Sequence, residues 1–335
     1  MTHELKKIIT GYEQAAQSGI KTVLATVVAL DGSSYRRPGV QMLVLENGTM
    51  VGAVSGGCVE KEVFRQAETV FKTTNPKMIT YDGRYRLGCE GILYILLEPL
   101  QLESKVIKAL KTAFQKRQSF QMASYYEQAE GESVHFGSIL TIDGQTYPVN
   151  TFFQLDTKKP VFEQEFSPCY SLIIIGAEHD AVQLAAMASQ TGWDVTVVVN
   201  PREEKTLSYF IGASKLVASD GDGLDLPIDA QTAVVVMTHS YAKDLKYLLG
   251  LKKYQPGYLG LLGPARRREQ LFNELLALDS DIAYEFIENI NGPAGLDIGA
   301  ETSQEIAIAI LAEIIALRNQ KTVNSLKNKE GKIHA

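Results

Sequence analysis

Two glycine-rich turns each carry a cysteine. Ser55-Gly56-Gly57-Cys58-Val59-Glu60 places a thiol where an extended segment gives way to a helical stripe. Paired glycines let backbone N–H groups approach a ligand closely. A cysteine at a helix N-terminus meets the positive end of the dipole, which favours thiolate. That suits a sulfur-handling thiol or a soft contact to a metal-bearing ligand. A small buried cysteine in a tight turn fits the same residues. The second such turn is Leu87-Gly88-Cys89-Glu90-Gly91. A third segment, Asp31-Gly32-Ser33-Ser34-Tyr35-Arg36-Arg37-Pro38-Gly39, sets Arg36 and Arg37 beside the Ser33 and Ser34 hydroxyls. Adjacent guanidiniums on flexible backbone could cradle phosphate, and a solvated turn with two surface arginines is the plainer alternative.

The second half of the chain offers four more candidates. Gly176-Ala177-Glu178-His179-Asp180-Ala181 follows an apolar strand and opens a helix, the place of a dinucleotide fingerprint. Glu178 stands where the second glycine should let backbone reach a pyrophosphate, and the next strand ends in Asn200 instead of an acid. A parallel α/β fold is therefore expected, with NAD(P) binding disfavoured. Thr238-His239-Ser240 falls at the C-terminal end of a strand, the edge where open α/β sheets bind ligands. Gly263-Pro264 precedes Arg266, Arg267 and Arg268 at a helix start, where the dipole disfavours cations. Such a choice suggests an anionic ligand or a solvated face. Gly292 to Thr302, with Asp297 at its middle, reads as a shaped loop. The five histidines are dispersed, and no HExxH, CxxC, GxSxG or Walker A pattern occurs.

These residues sit in a chain of 335 residues, long enough for roughly two domains. A formal net charge of −6 argues against a general nucleic-acid binder. Three cysteines without close pairs argue against a disulfide framework and fit a reducing, cytoplasmic setting. No apolar run approaches the ~20 residues of a membrane span, and the N-terminus lacks a signal-peptide core.

The elements that must position the candidates follow from periodicity. Thr2 to Gln17 reads as an amphipathic helix and Lys21 to Leu30 as a buried strand. Gln41–Glu46 and Thr49–Ser55 form a hairpin, with Asn47-Gly48 predicting a primed turn. A helix follows Cys58, a strand covers Gly91–Leu97 and a helix Val106–Phe114. Residues 119–166 read as hairpins leading into a linker. From Cys169, strands alternate with helices: Tyr170–Ile175, Asp194–Asn200, Leu216–Ala218, Ala233–Met237 and Tyr258–Leu262. The expected architecture is an N-terminal α+β domain over 1–166, then a Rossmann-like parallel-sheet domain over 167–320. The last helix, Ser303–Asn319, is apolar almost all round and suggests a core or dimer interface. Residues 321–335 form a polar tail.

In order, the motifs resemble those of the XdhC/CoxI accessory proteins of molybdenum hydroxylases such as xanthine dehydrogenase. The resemblance spans about residues 10–320. It rests on Gly32–Gly39 with Met42, Gly52–Glu60, Gly88-Cys89, Thr238-His239, Tyr258–Gly263 and Gly295–Thr302 running into Glu305-Ile306-Ala307. It implies a chaperone that binds the molybdenum cofactor transiently. Such a chaperone helps sulfurate the cofactor alongside a cysteine desulfurase and delivers it to a xanthine dehydrogenase-type apoenzyme. It implies a cofactor site drawn from Ser33, Arg36, Arg37, Gly56, Gly57, Cys58, Cys89, Gly176, His239, Gly263 and Asp297. An NAD(P)-dependent oxidoreductase built on the second domain is the alternative. A homodimer is expected from the last helix.

Overall fold

The structure, a computed structural model, describes residues 2–32, 37–83, 91–222 and 224–329, with Cys58 described by its backbone alone. The chain divides into two compact units, Met1–Pro168 and Cys169–Ala335.

The first unit opens with α1 (Thr2–Gln17), β1 (Thr22–Asp31), β2 (Gln41–Leu45), β3 (Met50–Gly52) and α2 (Cys58–Thr73). It continues with β4 (Lys77–Asp82), β5 (Ile92–Pro99) and α3 (Ser104–Gln115). Then come β6 (Phe120–Tyr125), β7 (Gly131–Glu132), β8 (Gly137–Ile142), β9 (Gln145–Pro148) and β10 (Val161–Phe166). An antiparallel sheet of order β3-β2-β1-β5-β4-β7 forms the base, and a second one runs β10-β6-β8-β9.

β1 is apolar on both sides because both of its faces are covered. Val23, Ala25 and Val27 pack on Val59, Val63, Ala67 and Val70 of α2. Leu24 faces the other way, into a cluster with Ile8 and Ile9 of α1 and Leu110 of α3. Burial of each such valine, leucine or isoleucine contributes about 2 kcal/mol.

The two glycine hairpins differ. Asp143 and Gly144 both take positive φ (+51° and +72°), a two-residue primed turn joining β8 to β9. The primed turn expected at Asn47-Gly48 is not formed. Of that pair only Gly48 has positive φ (+91°). Its N–H closes a turn onto Leu45 O, and Thr49 N–H bonds Asn47 Oδ1. The loop is four residues long, which frees the asparagine from the left-handed region.

One charged group joins the two sheets. Glu98 of β5 is fully buried and accepts the backbone N–H (2.9 Å) and hydroxyl (2.5 Å) of Ser138 on β8. Burial pushes its carboxyl up to about 7, partly offset by the Ser138 bonds.

The second unit contains β11 (Ser171–Ile175), α4 (His179–Gln190), β12 (Asp194–Val199), β13 (Lys215–Ala218), β14 (Thr232–Val236) and α5 (Tyr241–Leu251). β15 (Tyr258–Leu261), α6 (Ala265–Leu278), α7 (Tyr284–Glu288), β16 (Ile290–Asn291) and α8 (Ser303–Arg318) complete it. Its sheet is wholly parallel, of order β13-β12-β11-β14-β15-β16, the expected Rossmann arrangement. Leu172 and Ile174 pack under α4 and α8, while Ile173 and Ile175 pack under α5 and α6. Helices on both faces explain why the strands read as unbroken apolar runs.

α8 starts in a capping box of Thr302 and Glu305. It buries Ala307, Ile310, Leu311 and Ile314, yet leaves Ile308, Ile315 and Leu317 about half exposed. One face is therefore core, and the other is apolar surface.

Candidate functional site

In the first unit the strand register brings the candidate segments to one end of the sheet. β2 enters at Gln41 opposite Thr26, and β3 leaves at Gly52 opposite Met42. β1 runs on to Asp31, paired with Ile92 at the start of β5, and the same Ile92 pairs with Asp82 at the end of β4. The segments 32–40, 53–57 and 83–91 thus all leave or enter at that end. Asp31 is held there by the Tyr94 hydroxyl at 2.8 Å.

Of the predicted residues in this unit, Ser33, Arg36 and Cys89 lie outside the described residues, as does the side chain of Cys58. Arg37, Gly56 and Gly57 are described and exposed. Gly57 caps α2 with φ +30° and makes no side-chain cap, while the Val59 N–H reaches back to Gly56 O. A Cβ on Gly56 or Gly57 would meet nothing within 4 Å among the described residues. Beneath the turn, Ser55 N–H donates to Glu60 Oε1 at 2.8 Å. Glu60 is 8% exposed, and its Oε2 has no hydrogen-bond partner among the described residues. The periodicity placed Glu60 on the helix but did not single it out.

In the second unit, Gly176, His239 and Gly263 gather at the C-terminal ends of adjacent strands, at the point where strand order reverses between β11 and β14. Gly176 (φ +145°) is required by packing. A Cβ there would lie 2.4 Å from Met237 O. His239 takes the left-handed conformation (φ +57°), uncommon outside glycine, and its Nε2 stands 3.2 Å from Asp180 Oδ2. Exposed Glu178 is the N-cap of α4. Two carboxylates therefore occupy the helix start where a pyrophosphate would need positive potential.

The three arginines of α6 separate by role. Arg267 Nη2 donates to Asp244 Oδ2 at 2.5 Å, and Asp244, 1% exposed, also accepts the Thr238 N–H and hydroxyl. Arg268 Nη1 donates to Gly292 O at 2.6 Å. Those two fasten loops, a role that neither an anionic ligand nor a solvated face at Arg266–Arg268 anticipates. Arg266 is exposed. Asp297 is exposed on the loop after β16. Its neighbour Gly295 packs on α8 and donates its N–H to Glu313. A cleft of this unit, about 760 Å³, opens around Gly257, Tyr258 and Asn291 at the opposite end of the sheet and contains none of the predicted residues.

No group of three or more His, Cys, Asp and Glu side chains among the described residues could hold a metal ion. No helix there is long and apolar enough to cross a membrane. Cys169 is buried.

An α+β unit with a glycine-lined sheet end, followed by a Rossmann unit whose phosphate turn is acidic, defines the class. The chain belongs to the XdhC/CoxI family: residues 15–82 match its XdhC and CoxI model and residues 172–314 the XdhC Rossmann domain. It is 30% identical to a probable xanthine dehydrogenase subunit of Bacillus subtilis, over 90% of this chain and 95% of that one. It is 27% identical to the molybdenum cofactor insertion chaperone PaoD of Escherichia coli, over 95% of this chain and 90% of the relative. A crystal structure described as a xanthine dehydrogenase from Bacillus halodurans superposes with a TM-score of 0.74 at 26% identity, covering 96% and 98% of the two chains.

Proposed function

We propose that this chain binds the molybdenum cofactor and delivers it to a xanthine dehydrogenase-type apoenzyme. The observation that carries this reading is that the strand ends flanking three candidate segments lie at one end of the first sheet, one of those segments being the exposed Gly56-Gly57 turn. The likeness to PaoD supports it. Ser33, Arg36 and Arg37 would hold the cofactor's terminal phosphate, because guanidiniums and hydroxyls suit that group. Gly56 and Gly57 would let it approach the backbone. Cys58 and Cys89 would supply soft contacts to molybdenum or carry the sulfur delivered by a cysteine desulfurase. Gly176, His239, Gly263 and Asp297 would contribute a second contact region in the Rossmann unit. The reading places the chain in the cytoplasm, as a homodimer.

One observation favours a second reading, an NAD(P)-dependent oxidoreductase: the strand order of the second unit. Glu178 and Asp180 oppose it electrostatically. Saturable binding of a nicotinamide cofactor below millimolar concentration would support the oxidoreductase.

The test of the first reading is to produce the chain in cells that make molybdenum cofactor, purify it and oxidise the bound material. Pterin fluorescence near one equivalent per chain is expected. A chain free of pterin would overturn the proposal.

A further inference from the structure

Two helices on one side of the Rossmann sheet share a seam without charge. α4 and α8 lie side by side, with Leu184 and Ala188 of one and Ile310 and Ile314 of the other in a common core. At about 100° per residue, Ile308 and Ile315 stand about 140° and 160° around α8 from Glu313. Glu313 turns toward β15 and its loop, accepting the Tyr258 hydroxyl and the Gly295 N–H. α4 covers β11, on the other side of β14 from β15, so Ile308 and Ile315 line the flank of α8 that turns to α4. Both are exposed. Met187 stands about 160° around α4 from Ser189. Ser189 abuts Gly212, at the end of the Leu207–Ile211 segment, so Met187 faces the other way, toward α8. An apolar strip therefore runs along the seam between the helices. α4 carries no charged residue from Ala181 to Gln190, and between Glu305 and Arg318 α8 carries only Glu313. The Leu207–Ile211 segment, with Ile211 74% exposed, borders α4 and widens the strip. Helices of 16 and 12 residues, about 9 Å apart and flanked by that segment, present on the order of 700 Å². A specific dimer buries about 600–1,000 Å² per copy.

We infer that a second copy of this chain covers the strip, the α4–α8 pair of one protomer packing on the same pair of its partner. This rests on the homodimer of the reading above and assigns the surfaces that meet. Charge selects the occupant. Each chain carries −6, so two copies repel where charged surface meets charged surface. A two-fold contact sets each patch against its own copy, so a charge near the axis would meet its like. A strip free of charge escapes both penalties, and it offers nothing to steer an oppositely charged client.

Sedimentation of the full chain tests this. The wild type should run as a dimer at about 10 µM. Ile308→Arg puts a guanidinium into the seam against its counterpart. The dimer should weaken at least about a hundredfold, with the monomer still folded by circular dichroism. A monomeric wild type overturns the homodimer and this face together, and leaves the cofactor reading to its own pterin test. A dimeric wild type with an equally tight Ile308→Arg dimer overturns the face alone. If Ile308→Arg does not fold, carbene footprinting of the wild type decides. Ile308, Ile315 and Met187 should be labelled at least about fivefold less in the dimer than in the diluted monomer. Equal labelling overturns the face.

Discussion

Gly176 and Met237 meet so closely that a Cβ on the glycine would stand 2.4 Å from the Met237 carbonyl oxygen. This contact seals β11 against β14 at the switch point of the Rossmann sheet. The glycine is therefore structural, whatever binds above it. Gly176→Ala combines a positive φ with a backbone clash and should lower stability by at least about 2 kcal/mol. Denaturant unfolding followed by Trp193 fluorescence, in the same unit, checks this. An unchanged midpoint would contradict the packing.

Glu98 makes the first unit sensitive to pH. Its folded value, about 7, lies above the ordinary 4.5. The folded state therefore holds the proton more tightly. The associated stability is full below about pH 4.5 and is lost as pH rises through about 7, a change of about 3 kcal/mol. Glu98→Gln keeps a neutral side chain of similar shape and should flatten this part of the profile. Stability of the two proteins measured between pH 5 and 8 should diverge, with the variant the more stable at pH 8.

Asp244 is the anchor of the β14 end. Asp244→Ala leaves Arg267 without its carboxylate partner and the Thr238 N–H without its acceptor, while the Thr238 hydroxyl keeps Ser240 O. A loss of about 3 kcal/mol is expected, the lower end for a broken buried pair because Arg267 keeps some exposure. Arg266→Ala should change stability by no more than about 0.5 kcal/mol. Similar losses for the two variants in urea unfolding would contradict the division of roles within Arg266–Arg268.

His239 carries backbone strain that glycine would relieve. His239→Gly should be neutral or more stable, since the positive φ costs a histidine of order 1 kcal/mol and the side chain is about half exposed. A ligand role predicts the same stability together with less retained cofactor, measured as pterin per chain, whereas undiminished pterin would contradict that role.

Much of the fold was legible because the core patterns are simple. Ile173 and Ile175 alternate with Leu172 and Ile174 on a strand covered on both faces, which gives the apolar run of a parallel sheet. β4 was harder to read. Lys77–Asp82 is short, and its partly exposed polar residues break any clean alternation. Asn47-Gly48 misled because a dipeptide does not state its loop length. At the candidate site, turn chemistry marked Gly56 and Gly57. Glu60 was passed over because a glutamate in the first turn of an amphipathic helix reads as ordinary surface. Only the Ser55 N–H bond and the orphaned Oε2 distinguish it. Asp244 was missed for a related reason, since nothing local announces a partner 23 residues away.

Transfer tests the central claim most directly. The chain, loaded with molybdenum cofactor and freed of unbound material, is mixed with a xanthine dehydrogenase-type apoenzyme, and the two are separated again. The account predicts that pterin leaves the chain and appears in the hydroxylase in equal amount, with hydroxylase activity rising in step. Pterin that stays on the chain while the hydroxylase remains inactive would contradict it.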